Sequence, residues 1–195
     1  MKTRYSIYTV AIALLVIASC KKSSTQSASI QGNWNFESEQ VRGQSTIEYT
    51  IGGVDYKTVT VSNYTTVNNS GALNITSNMM NSIGLTYTIV DTATGYDYQN
   101  GTLIDSTVQI VGDYVAPTNS SSSYVLVGSD SVYFPSGGFT SPSGFQATAA
   151  GGARINLSGD TLLTMTSSFS KDSSTFLYGV PATINYQATL ISKFN

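Results

Sequence analysis

The stretch Asp160-Thr161-Leu162-Leu163-Thr164-Met165-Thr166-Ser167-Ser168-Phe169 alternates along its length. Leu163, Met165 and Phe169 fall on one side of an extended backbone, and Leu162, Thr164, Thr166 and Ser168 on the other. This is the period-two pattern of a strand with one dry face and one mostly wet face. The same grammar runs outward over residues 30–195: short runs of Val, Ile, Thr, Tyr and Phe, punctuated by Gly, Asn, Asp and Ser, with helix-period stretches nearly absent. Gly52-Gly53, Asn100-Gly101 and Ser158-Gly159-Asp160 sit between such runs and predict hairpins, because Gly and Asn supply the positive φ that tight turns demand. Counting runs predicts about 8–10 antiparallel strands, an all-β barrel or, alternatively, a β-sandwich. Loops are expected over Pro117 to Ser123, over Pro135 to Gly152 and, as a plain hairpin loop, over Asp91 to Asp97, with a short helical turn or loop tip at Asn78 to Ser82.

The first twenty residues follow a different logic. A basic start, Met1-Lys2-Thr3-Arg4, leads into the apolar run Val10 to Ala18, then Ser19-Cys20. This is the layout of a secretory signal, and the apolar run is too short to cross a bilayer comfortably. Ile17-Ala18-Ser19-Cys20 resembles the bacterial lipobox, in which a branched apolar residue and two small residues precede a cysteine. The resemblance implies that residues 1–19 are removed and that Cys20 carries a diacylglyceryl group and an acylated amino terminus, palmitate or a similar chain. Two or three acyl chains, at about 0.8 kcal/mol per buried CH₂, hold a protein at a membrane for practical purposes. Cys20 is the chain's one cysteine, so no disulfide staples the fold.

Residues 20–29 read as the lipidated cysteine and a flexible tether, and residues 30–195 as one β domain. After removal of Lys2 and Arg4, 7 basic and 11 acidic side chains leave a net charge of −4. Nucleic acid is thereby disfavoured as a partner, since phosphate binding needs clustered Lys and Arg. The expected address is the cell envelope, lipid-anchored to the outer membrane. In Bacteroidetes-type surface lipoproteins an acidic cluster follows the cysteine, whereas here Lys21 and Lys22 do, which slightly favours the periplasmic face.

Gly32-Asn33-Trp34, within Ile30-Gln31-Gly32-Asn33-Trp34-Asn35-Phe36, resembles the Gly-x-Trp signature that opens the first strand of lipocalins and of lipocalin-like Bacteroidetes lipoproteins. The resemblance implies an up-and-down barrel in which Gly32 permits close backbone approach and Trp34 plugs one end, covered by a basic side chain from a late strand. Arg154 and Lys193 are the candidates for that cover, by a cation–π contact. The family's second signature is only echoed by Gly112-Asp113-Tyr114, and no helix-like segment follows the last strand-like run.

Chemistry is bounded mainly by exclusion. The chain contains no histidine, which removes Ser-His-Asp and Cys-His catalysis and the usual zinc sites. No catalytic residue, metal ligand or cofactor is expected. Glu37 and Glu39 have strand spacing and could form a carboxylate pair, but a solvated strand edge explains them more simply. Asp91-Thr92, Asp105-Ser106, Asp130-Ser131 and Asp160-Thr161, each followed by an apolar residue or Thr, match the O-glycosylation sequon of many Bacteroidetes, which makes Thr92, Ser106, Ser131 and Thr161 candidate acceptors. The 13 tyrosines suit a sheet-water boundary, and a ligand-lining row is the sharper alternative. Two functions therefore stand as expectations: a non-catalytic barrel holding a small apolar or amphipathic ligand, and a structural or interaction module contacting a protein, a glycan or the cell wall. The ligand-binding residues themselves are not legible.

Overall fold

Strand β1 (Gly32–Ile51) and the nine that follow account for most of the described chain: β2 (Val54–Thr65), β3 (Val67–Ile75), β4 (Met79–Gln99), β5 (Thr102–Ser123), β6 (Val125–Val127), β7 (Ser131–Phe134), β8 (Gly151–Ser158), β9 (Leu162–Leu177) and β10 (Val180–Phe194). The computed structural model describes residues 29–137, 150–159 and 161–195. The signal segment, Cys20 and the tether up to residue 28 lie outside the described residues. So do Asp160 and residues 138–149 of the long loop expected between Pro135 and Gly152.

The described residues are all-β and antiparallel, with ten strands in one sheet. The hairpin turns fall at Gly52-Gly53 and at Asn100-Gly101, each with positive φ at both residues, and at Gly159. Tyr178-Gly179 makes a further turn of the same kind. β1 pairs with β2, β3 with β4 and β4 with β5, β6 to β10 pair in sequence order, and β1 also pairs with β10 over Phe36 to Tyr49. β2 and β3 share both neighbours, β1 and β4, so they act as one long strand broken at Thr66. β5 pairs with β4, β6 pairs with β7, and Tyr124 alone separates β5 from β6. The path of pairings therefore returns to its start, which makes the arrangement barrel-like.

That ring is complete only at one end. There, side chains from nearly every strand meet: Trp34 and Phe36 of β1, Leu73 of β3, Met80 and Tyr87 of β4, Val132 of β7, Ile155 of β8, Leu163 of β9 and Phe194 of β10, all buried in one apolar cluster. Phe36 packs edge-on to Tyr87 at 6.1 Å and against Phe194 at 5.6 Å between ring centroids. Leu163 and Met165 point into this core and Phe169 into a smaller cluster further along, so the alternation read at β9 holds. At the other end β6, β7 and β8 are too short to continue, and β4, β2, β1 and β10 run on as an open sheet bordered by β5 and β9.

Three loop expectations are corrected. Pro117 to Ser123 belongs to β5, and Asp91 to Asp97 lies in the middle of β4 rather than in a hairpin loop. Asn78 is in a turn, but Met79 already opens β4 and Met80 is fully buried. In each case cross-strand partners on a long neighbouring strand override the local turn chemistry.

Candidate functional site

The inner face changes character where the ring gives way to the open sheet. A register shift in β1 between Phe36 and Ser38 marks the place. Strict alternation after Trp34 and Phe36 would send Glu39 outward. The extra residue of the bulge reverses the parity, and Glu39 is 1% exposed while Glu37 stays in solvent. The expectation of a solvated carboxylate pair is thus corrected: the two glutamates occupy different environments. Thr66, at the break between β2 and β3, fixes the bulge, because its Oγ1 accepts a hydrogen bond from Glu39 N at 2.9 Å and its own N–H donates to Glu39 O at 2.9 Å.

Around Glu39 stands a layer of polar groups. Ser192 of β10 donates to Glu39 Oε2 at 3.0 Å. Asp91 of β4 is 5% exposed and accepts a hydrogen bond from Ser62 of β2 through Oδ2. Asp91 Oδ1 and the Tyr87 hydroxyl are buried with no hydrogen-bond partner among the described residues. Burial, and then the nearby Glu39 charge, push the phenols of Tyr64 and Tyr87 well above the usual tyrosine range. Burial likewise raises that of Tyr186. These hydroxyls are therefore protonated at neutral pH and offer themselves as hydrogen-bond donors and acceptors, not as bases. Among the described residues no group of three His, Cys, Asp or Glu side chains is placed to hold a metal ion.

Beyond the polar layer the open sheet carries two clefts. The larger, about 980 Å³, lies near the hairpin tips and is lined by Glu48, Tyr49, Tyr56, Lys57, Tyr98 and their neighbours. Tyr49 and Tyr56 stack there at 5.2 Å, and Lys57 pairs with Glu48 at 2.9 Å. The smaller cleft, about 670 Å³, has Arg42, Gln44, Asn63 and Gln187 on its walls.

The plug implied by the lipocalin resemblance is only partly assembled. Trp34 is 7% exposed and its indole N–H donates to Ile30 O at 2.8 Å. Gly32 has φ of +147°, which L side chains rarely adopt. The space above its Cα is ordinary, 3.8 Å to Trp34 Nε1, so conformation rather than crowding calls for glycine there. Arg154, however, is not the cover. It alternates with the buried Ala153 and Ile155, so its side chain stands outside, 80% exposed, and its guanidinium lies 3.3 Å from Asp130. Lys193 is exposed on the outer side of Phe194 in the same way.

The candidate glycosylation acceptors are scattered. Thr92, Ser106 and Thr161 are exposed on different strands and a turn, and Ser131 is half-buried with its hydroxyl 3.1 Å from Asp130. No family model matches the chain, and a search of curated proteins finds no match. Among solved structures, the crystal structure of Ail, the attachment invasion locus protein of Yersinia pestis, aligns at 10% identity over 85% of this chain and all of that one, with a TM-score of 0.20. A likeness at that score carries no argument about fold or function.

The inward pair Glu39 and Asp91, with Tyr64, Tyr87 and Ser62, was missed by sequence reasoning. For Glu39 the signal is hidden in a bulge that has no sequence mark. For Asp91 it was present but misread, since an Asp followed by Thr and Gly looks like a turn.

Proposed function

We propose that this chain is a lipoprotein of the bacterial cell envelope, anchored through Cys20 to the outer membrane with the periplasmic face favoured, whose lipocalin-like up-and-down barrel works without catalysis as an interaction module. The observation that carries the reading is the filled closed end. Leu73, Met80, Tyr87 and Leu163 are each 0% exposed there, so the apolar interior is occupied by the protein's own side chains. An eight-stranded ring has just enough interior to be filled in this way or to hold one small ligand. Pairing β2 with β3 and β5 with β6 gives that count of eight.

The direction of display follows. Ile30 is buried in the closed-end cluster, so the tether leaves from that end, while the turns at Gly52-Gly53, Asn100-Gly101 and Tyr178-Gly179 lie at the other. At about 3.3 Å per residue, the 20 residues of β1 reach up to about 65 Å from the closed end to the tips. The open sheet is then the part presented to a partner. A second reading, capture of a small amphipathic ligand, is favoured only by the larger cleft with its stacked Tyr49 and Tyr56.

Mass spectrometry of the protein from its native host, under conditions that keep non-covalent passengers, tests both. Two or three acyl chains on Cys20 without a passenger support the interaction module. A dissociable amphipathic passenger moves the assignment to the ligand-binding reading, and an unlipidated Cys20 overturns the anchored protein. The same spectrum reads the sequons, because any further mass in hexose or deoxyhexose steps reports on Thr92, Ser106, Ser131 and Thr161.

A further inference from the structure

The two borders of the open sheet differ in a way that selects a partner. Both are unpaired among the described residues: β5 bonds only to β4, and β9 beyond Ser167 bonds only to β10. An unpaired strand edge presents a row of N–H and C=O groups that templates another strand, unless charged side chains blunt it. β9 is blunted. Its free stretch, Ser168 to Leu177, carries Lys171 and Asp172 at its centre, flanked by Ser170, Ser173, Ser174 and Thr175, with Phe169, Phe176 and Leu177 towards its ends. β5 is not. From Thr102 to Gly112 it has one charged residue, Asp105, and every residue of the stretch is exposed. Ile104 is 55% exposed, Val108 66% and Ile110 83%, which leaves a long apolar edge in water.

We propose that β5 pairs antiparallel with the β5 edge of a second copy, joining two sheets into one. The composition of the stretch is self-complementary about Thr107. With Thr107 on the two-fold axis, Ile104 faces Ile110 of the other copy, Leu103 faces Val111, and Asp105 faces Gln109. Each apolar pair occurs twice by symmetry. Directly opposed apolar pairs stabilise a ladder and like charges destabilise it, and this register avoids setting Asp105 against itself. A two-fold contact of this kind closes on itself and stops at two copies. The pairing rests on the interaction-module reading, for which it names the first partner as the protein itself.

The test uses the mature lipoprotein in detergent, with mass and oligomeric state read in one native mass spectrum and self-association followed by light scattering. Wild type is expected as a dimer. Ile110→Lys, at a position too exposed to matter for folding, is expected to weaken association by about tenfold or more with an unchanged unfolding midpoint. The double variant Ile104→Glu/Ile110→Lys restores opposite charges across the axis and is expected to regain the dimer. A monomeric wild type overturns the proposal, as does an Ile110→Lys protein that still dimerises. If Ser173→Lys on the β9 edge dissolves the assembly and Ile110→Lys does not, the contact joins other edges and self-pairing of β5 is wrong. Lipid on Cys20 is read independently, so a lipidated monomer sinks the pairing while leaving the envelope reading in place, and an unlipidated dimer does the reverse.

Discussion

The closed end and the open sheet share four strands, yet most of the apolar core lies in only one of them. β1, β4, β9 and β10 run through both halves. At the closed end their inward side chains meet those of β3, β7 and β8 and lose nearly all contact with water. In the open half only the small cluster of Val41, Ala188 and Leu190 is buried, and towards the tips Ile47, Tyr49, Tyr56 and Thr58 stay only half-buried. Burial of apolar area supplies most of a fold's stability, at roughly 25 cal/mol per Å². The open half is therefore held chiefly by backbone ladders and by its continuity with the closed end. Stability is thus concentrated in the closed end, and the proposed display falls to the open sheet.

The largest effect expected from that division comes from one residue type placed in each half. Phe194→Ala removes a ring that is 1% exposed in the closed core and is expected to cost about 3–5 kcal/mol in urea unfolding. Phe176→Ala, at a site 74% exposed near the tips, is expected within about 0.5 kcal/mol of wild type. Equal costs would mean that the tips of the open sheet are packed as tightly as the closed end.

Backbone constraints give the next contrast. At Gly71, φ is +105° and an added Cβ would sit 2.6 Å from Gly84 O, where β3 and β4 cross closely. Gly71→Ala is expected to cost about 3 kcal/mol, the upper end for a strained residue that also displaces a neighbouring backbone. Gly101→Ala, in an open-half turn with φ of +78° and nothing within 4 Å, is expected to cost only about 1 kcal/mol by the same unfolding assay.

Alkali sharpens the comparison from another side. Tyr87 is fully buried and its phenol is raised above the ordinary value by burial and by Glu39. A raised folded pKa contributes stability that is complete below the unfolded value of about 10 and is lost as pH climbs past it. Stability is expected to fall above about pH 10 by up to about 1.4 kcal/mol per pH unit for this group. Tyr87→Phe should flatten that slope in urea melts at successive pH values. The smallest effect belongs to the open surface: Glu48→Gln, which breaks the half-exposed pair with Lys57, is expected to shift stability by less than about 0.5 kcal/mol, and 1 M salt should erase the difference.

Much of the architecture was legible because it is written in period-two patterning and in turn glycines. The hairpins at Gly52-Gly53 and Asn100-Gly101, the inward face at Leu163 and Met165, and the burial of Trp34 each follow from residues next to one another in the chain. The failures share one cause. Arg154 was assigned to Trp34 on its position late in the chain, and only the parity of β8, set by Ala153 and Ile155 in the core, turns it outward. Asp91 has turn-forming neighbours, yet Ser62 on one side and Val111 on the other hold it in a strand. Pro117 likewise lies within β5, where its missing N–H is tolerated beside a register irregularity in the ladder with β4.

By itself, then, the sequence determined the strand-rich class, the reversals marked by Gly52-Gly53, Asn100-Gly101 and Gly159, and the apolar face of β9, since all of these depend on backbone preference and on periodicity within a few residues. It also carries the lipobox resemblance on which the proposed envelope location rests. Tertiary structure alone decided that the ring closes at one end and stays open at the other, because that depends on the unequal lengths over which distant strands find partners. It alone decided that Glu39 faces inward, because one residue of bulge between Phe36 and Ser38 reverses the parity of everything after it.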